Sequence, residues 1–280
     1  MLKGIDISSH QGDINWEKVK GQIDFAIIRC GYGMDLQMQD DSNFIRNVEE
    51  CIRLGIPFGV YLFSYADTIE KAESEANHVL RLVEPYKNNL SYGIWYDLED
   101  KIQEKLTKEE LSRIISIFCE KITNNGYNVG IYANNYWLRT KIETEIKQKY
   151  EIWSAGYGTN DGSAQEDAKY QHKNVVMWQF TSKGKIDGIN GNVDLDYLYK
   201  EINVENVENV EKPVENLTNN ENVVETAGTY IVKSGDNLTT IAKKYHMSWQ
   251  TLYENNRNTI GGNPNLIKPR SSFTNKCKYR

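Results

Sequence analysis

The chain has no apolar run long enough to span a bilayer, and its first residues, MLKGIDISSH, lack the basic-then-apolar pattern of a secretory leader. Synthesis in the cytoplasm is therefore expected, with release by another protein or by lysis needed to reach a substrate outside the membrane. Cysteine is scarce too. Cys30, Cys51, Cys119 and Cys277 show neither C-x-x-C spacing nor a nearby histidine cluster, which argues against a disulfide framework and against a zinc site. Cys30 and Cys119 lie in apolar runs and are expected as buried free thiols. Nothing in the sequence implies a metal or a cofactor.

Aromatic residues and acid are what the chain has in quantity. With 18 Tyr and 6 Trp in 280 residues, it can supply rings for a core or for packing against the C–H faces of sugars. Its formal charge of −6 is unevenly spread. Residues 201–226 hold seven Glu against one Lys, and residues 227–280 hold nine Lys/Arg against Asp236 and Glu254, so the first 200 residues carry −7. A basic end behind an acidic body suits a polyanionic partner such as the polymers of a cell wall. Charge alone would draw a nucleic acid equally, but the motifs described below point to glycan.

Through residue 200 short β-type runs alternate with helical stretches, the pattern of an α/β fold with parallel strands. Strands are predicted at 3–8, 25–31, 57–65, 92–99, 128–134, 151–157, 175–180 and 193–197, and helices at 40–54, 68–83 and 108–124. Eight strands close most economically as a barrel. The last connections are too short for full helices, so the barrel should be irregular. Residues 201–226 are a repeat of Val, Glu and Asn without a core-forming pattern and read as a disordered acidic linker. Residues 227–280 then resume with a strand at 230–232, a turn at 235–237 and two short helices, a small α+β module.

Side chains alternate across a strand. In the first strand Ile5 and Ile7 share one face, and Gly4, Asp6 and Ser8 the other; in the fourth, Ile94, Tyr96 and Leu98 oppose Trp95, Asp97 and Glu99. With the aliphatics under helices, the carboxylates point inward at the C-terminal strand ends, where barrel sites are built. Asp97 and Glu99 are two residues apart, about 6.5 Å between Cα atoms, and can flank one scissile bond. Glycoside hydrolysis needs such a pair: one carboxyl gives a proton to the leaving oxygen while the other stabilises or attacks the cationic sugar. Asp6 and Asp194 join them if the first and last strands meet on closure.

Gly4-Ile5-Asp6-Ile7-Ser8, His10-Gln11-Gly12, Asp97-Leu98-Glu99, Ile131-Tyr132, Trp178-Gln179 and Asn192-Val193-Asp194-Leu195 resemble, in order, the glycoside hydrolase family 25 lysozymes. The resemblance covers roughly residues 2–200. It implies an irregular TIM-like barrel and cleavage of the β-1,4 bond between N-acetylmuramic acid and N-acetylglucosamine in peptidoglycan. By the same resemblance Glu99 is the general acid/base and Asp97 stabilises the positive centre, by a substrate-assisted route with retention in preference to direct attack. Asp6 and Asp194 orient substrate, with Asp187 competing for the role of Asp194. Phe63, Tyr65, Tyr132, Trp178 and Gln179 are the candidates for substrate binding, and His10 reads as a loop hydrogen-bonder.

The C-terminal segment resembles a LysM module, through Tyr230-Ile231-Val232, Ser234-Gly235-Asp236-Asn237-Leu238, Ile241-Ala242, Leu252-Tyr253, Asn255-Asn256 and Asn265-Leu266-Ile267-Lys268-Pro269. The resemblance implies a shallow groove for N-acetyl sugars lined by Gly235, Asp236, Asn237, Leu238, Asn265 and Ile267. After Lys268-Pro269 the alternating apolar pattern of a final strand is missing, which predicts that the first strand is left unpaired. Endolysin or autolysin activity is the leading reading. A non-catalytic wall-binding protein or a chitinase-like hydrolase are the rivals, and the paired acids argue against the first of these.

Overall fold

β-Branched and aromatic residues at alternating positions make the first 199 residues a wall of eight strands. In the computed structural model these are β1 (Leu2–Ile7), β2 (Phe25–Tyr32), β3 (Phe58–Phe63), β4 (Leu90–Asp97), β5 (Val129–Asn134), β6 (Glu151–Ala155), β7 (Val175–Gly184) and β8 (Val193–Leu198), closed in sequence order. The structure describes residues 1–199 and, beyond them, 229–232, 238, 241–242, 249–261, 267 and 272–274. The chain divides into two compact units, Met1–Val210 and Glu211–Arg280. The expected linker 201–226 lies outside the described residues.

Strands β1 to β7 run parallel to their neighbours, but β8 is antiparallel to both β7 and β1, which corrects the expectation of an all-parallel sheet. The reason is connection length. A parallel crossover needs a dozen or more residues, and only residues 185–192 separate β7 from β8. The chain must turn back, and the N-terminal end of β8 then lies at the same barrel mouth as the C-terminal ends of the others. Asp194 accordingly pairs in register with Asp6.

Among the described residues the barrel unit carries six α-helices: α1 (Trp16–Val19), α2 (Phe44–Leu54), α3 (Ile69–Val83), α4 (Lys108–Asn124), α5 (Asn135–Thr140) and α6 (Thr144–Lys149). Helix α4 starts on a capping box, Thr107 Oγ1 accepting from Glu110 N while Glu110 accepts from Thr107 N. Helix α2 starts at Phe44, later than the expected residue 40, because Asp40 and Asp41 are drawn elsewhere. Asp40 pairs with His78 and Arg81 of α3, and Asp41 accepts from Arg29 and from Ser9 N.

Two layers of core follow from strand alternation. The outer one joins Ile5, Ile7, Ile28, Val60, Ile94 and Tyr96 to the helices. The inner one fills the barrel with Phe25, Ile27, Trp95, Tyr132, Trp153 and Met177. Trp153 is its hub, with ring centroids 6.0 Å from Trp95, 4.5 Å from Tyr132 and 6.0 Å from Tyr61. Two glycines make room: a Cβ on Gly4 would stand 2.4 Å from the Phe25 ring, and one on Gly130 would stand 2.4 Å from that of Trp95. Cys30, Cys51 and Cys119 are buried and free; Cys277 lies outside the described residues. No described helix is long and apolar enough to cross a membrane.

In the second unit, β9 (Thr229–Ile231) pairs antiparallel with β10 (Ser272–Thr274), placing Phe273 opposite Tyr230. This overturns the expectation of an unpaired first strand. Phe273 is fully buried against Tyr230, Val232, Leu238, Ile241 and Leu252. One large apolar side chain, without any alternating pattern around it, is enough to seat the short strand beside helix α7 (Trp249–Ile260).

Gly130→Ala tests the inner layer. Overpacking a filled core costs about 1–3 kcal/mol, and for a domain of this size that is a fall in Tm of roughly 3–10 °C. An unchanged melting temperature by circular dichroism would mean that the Trp95 ring yields without cost.

Candidate active site

Five carboxyl groups converge at the mouth. Asp6 is the penultimate residue of β1, Asp97 ends β4, and Asp194 and Asp196 lie on one face of β8; Glu99 follows Asp97, where Leu98 N still donates to Tyr132 O at 3.0 Å and so keeps the strand alternation going. Asp6, Asp97 and Asp196 are buried, whereas Glu99 faces the open mouth. It borders a cleft of about 550 Å³ lined also by Tyr132, Asn134, Tyr136, Arg139 and Tyr157.

Hydrogen bonds hold two of the acids, Asp6 and Asp196, in place. Gln179 donates from Nε2 to Asp6 Oδ2 at 2.7 Å, and its Oε1 accepts from Tyr132 at 2.9 Å and Tyr157 at 2.5 Å. Trp153 Nε1 donates to Asp196 Oδ1 at 2.8 Å. Asp97 Oδ1 is buried and has no hydrogen-bond partner among the described residues. Arg29, on the inward face of β2, is held by Asp41 (2.8 Å) and Ser9 Oγ (3.0 Å), close enough for its charge to reach Asp97.

Crowding of like charge in a barrel interior raises the affinity for protons. Burial, then the charge of Glu99, hold Asp97 well above the usual carboxylate range, with Arg29 opposing. Burial and the charges of Asp194 and Asp100 push Glu99 up. Asp6 is raised well above its ordinary value by burial and by Asp194 and Asp196. Burial pushes Asp194 up to about 6, and burial followed by the charge of Asp194 pushes Asp196 up to about 8. The site can therefore hold protonated and ionised carboxyls side by side, which is the requirement of acid-assisted glycoside cleavage.

The structure brings Asp6, Asp97, Glu99, Asp194, Tyr132 and Gln179 together. Phe63 and Tyr65 stand on the β3 side of the mouth, their rings 5.2 Å apart, with Tyr65 39% exposed and 6.1 Å from Tyr32. Trp178 does not belong to the site. It is fully buried in the outer layer and donates from Nε1 to Gly156 O at 2.8 Å. Adjacent strand residues face opposite sides, and it is Gln179 that enters the barrel. Asp187 is likewise outside, on the exposed β7–β8 loop beside Lys18 at 3.5 Å, with its carbonyl accepting from Gln22.

Asp196, Arg29 and Tyr157 were missed from sequence. Asp196 had a signal, since it lies two residues beyond Asp194 on the same strand face. Arg29 is the charged member of an inward series with Phe25 and Ile27. In the second unit Leu238 is 5% exposed and belongs to the core, with Ile267 packed against it, so Leu238 is corrected from groove to core. Gly235, Asp236, Asn237 and Asn265 lie outside the described residues.

With this geometry established, the chain is identified by comparison as a member of glycosyl hydrolases family 25, whose family model matches residues 5–189. Residues 230–270 match the LysM domain. The autolytic lysozyme of Clostridium acetobutylicum is 24% identical over 196 residues, covering 70% of this chain and 55% of that one. The modular autolysin LytC of Streptococcus pneumoniae, solved with a synthetic peptidoglycan ligand, is 31% identical with a TM-score of 0.60, covering 70% of this chain and 46% of that one. A family 25 glycosyl hydrolase from Bacillus anthracis is 25% identical with a TM-score of 0.58, covering 71% and 89%. The chain thus spans about half the length of the first two.

The raised acids make a sign-definite prediction about stability. Asp196 binds its proton more tightly folded than unfolded, so its stabilising contribution is complete below about pH 4 and is lost as pH rises towards about 8. Asp196→Asn keeps an acceptor for Trp153 and cannot ionise. Its Tm should fall less between pH 5 and pH 9 than that of the wild type; parallel curves would show that Asp196 does not titrate in this range.

Proposed function

We propose that the chain hydrolyses the β-1,4 bond between N-acetylmuramic acid and N-acetylglucosamine in bacterial peptidoglycan, as an autolysin or endolysin acting at the cell wall after release from the cytoplasm. The observation that carries this reading is the Asp97–Glu99 pair, two raised carboxyls on one face of one strand end, opposed by Asp6 and Asp194. The peptidoglycan ligand of the LytC structure supports the substrate class.

Glu99, open to the cleft, donates its proton to the leaving glycosidic oxygen and later takes one from the incoming water. Asp97, buried beside it, stabilises the developing positive charge by polarising the substrate's acetamido group, whose oxygen attacks the anomeric carbon. Asp6, bound by Gln179, and Asp194 orient the sugar. The short spacing of the pair suits retention, since inversion needs room for a water between the carboxyls.

Glu99→Gln should lower turnover of purified peptidoglycan by roughly 10²–10⁴-fold, with Tm little changed, and Asp97→Asn should be similarly damaging. Near-normal lysis by a folded Glu99→Gln protein would remove it from the mechanism. In the wild-type reaction NMR should detect the β-anomer first; an initial α-product would exclude retention, and cleavage of chitin in preference to peptidoglycan would move the substrate to a chitinase-like reading.

The LysM region is proposed to hold the enzyme on the wall. Tethering makes the second encounter intramolecular and raises avidity without touching the barrel. Deleting residues 201–280 should leave hydrolysis of short soluble glycans intact and weaken clearing of whole walls. If residual wall binding by the full chain collapses in salt and ignores N-acetylglucosamine oligomers, the +7 charge on anionic wall polymers is the adhesive, and not a sugar groove.

A further inference from the structure

Behind the mouth lies a carboxyl that the reaction above does not use. Glu75 is on α3, outside the barrel wall, and is fully buried. Its Oε1 accepts from Tyr65 N at 2.8 Å, and its Oε2 accepts from the hydroxyls of Ser64 at 2.8 Å and Tyr96 at 2.6 Å. Gln103, in the loop after β4, donates from Nε2 to Ser64 Oγ at 2.8 Å and to Ala66 O at 3.0 Å. Ser64 N in turn donates to the main-chain oxygen of Asp97 at 3.0 Å.

One side chain therefore ties down three things: Tyr96, which precedes Asp97; Ser64, which holds the Asp97 backbone; and Tyr65, an aromatic at the rim. Three donors converge on two oxygens, an arrangement that a carboxylate satisfies and that an amide, with N–H groups of its own, does not. Burial pushes the Glu75 carboxyl up to about 7 against these bonds. Stability alone does not call for it, since buried charged groups can be replaced by apolar packing at little loss.

We propose that Glu75 is a positioning residue for the catalytic strand end: it fixes the Asp97 backbone through Ser64 and Tyr96, and so sets the Asp97 carboxyl relative to Glu99. The inference rests on the peptidoglycan-cleaving reading of the same site. Misplacement of a reacting group by a fraction of an ångström lowers the rate of the chemical step without weakening binding in proportion.

The test uses the full chain with Glu75→Gln and Ser64→Ala, set against Val79→Ala, which opens a cavity in the same helix and is fully buried outside this network. With soluble peptidoglycan oligomers, both network variants should lose about tenfold in kcat, keep KM within about twofold, and shift the pH profile of kcat. Val79→Ala should keep kcat and the profile at an equal or larger loss of Tm. Wild-type kcat and pH profile in the network variants, or the same kcat loss in Val79→Ala, would overturn the proposal. If Glu75→Gln does not fold, Ser64→Ala decides alone. Carbon-13 carboxyl titration of the substrate-free proteins adds an independent reading: a moved Asp97 titration supports positioning and an unmoved one refutes it, even if the wild type proves inactive on peptidoglycan.

Discussion

Everything at the mouth depends on the direction of β8. Seven strands bring their C-terminal ends to one side of the barrel, and a parallel eighth would have left Asp194, near its own N-terminal end, at the opposite side. The short 185–192 connection forces β8 to run back along β7 and β1, and the ladder with β1 then sets Asp194 opposite Asp6 and Asp196 opposite Gly4. Closure of the barrel and assembly of the acids are the same set of hydrogen bonds.

A dry interior beneath the mouth gives those acids their character. The plug of Trp95, Tyr132, Trp153 and Met177 replaces water with rings and sulfur, so carboxyls above it are short of solvation and feel one another strongly. Gln179 and Trp153 offset part of this by donating to Asp6 and Asp196. Arg29 pulls the other way on Asp97 but is already committed to Asp41 and Ser9. What results is a cluster of carboxyls whose affinity for protons is raised, in which Glu99 is the member open to the cleft.

Helix α3 links this chemistry to the rest of the wall. Ser74 accepts from Asp35 N, His78 bonds Gly33 O and Asp40, and Arg81 pairs with Asp35 and Asp40, all in the loop after β2. Glu75 from the same helix holds the segment after β3. Loops at a barrel mouth are where motion concentrates, and here two of them are fastened by polar side chains on one rigid helix.

Much of this was legible in the chain because strand alternation is local. Covalent geometry alone puts Asp97 and Glu99 on one face and Tyr96 on the other, and eight strand-like runs were visible in order. The same rule, applied to Trp178 and Gln179, sends the tryptophan outward and the amide into the barrel. The same count places Asp196 beside Asp194, a signal that the sequence reading did not use.

The sequence by itself determined which residues are strands, which faces carry acid, and which family the motifs resemble. Tertiary structure decided the reversal of β8, the shortening of α2 by partners on α3 and β2, the burial of Leu238, and the pairing of β10 through Phe273. Each of these depends on segments far apart in the chain competing for one another's hydrogen bonds and apolar surface, and no periodicity within a single segment encodes the winner.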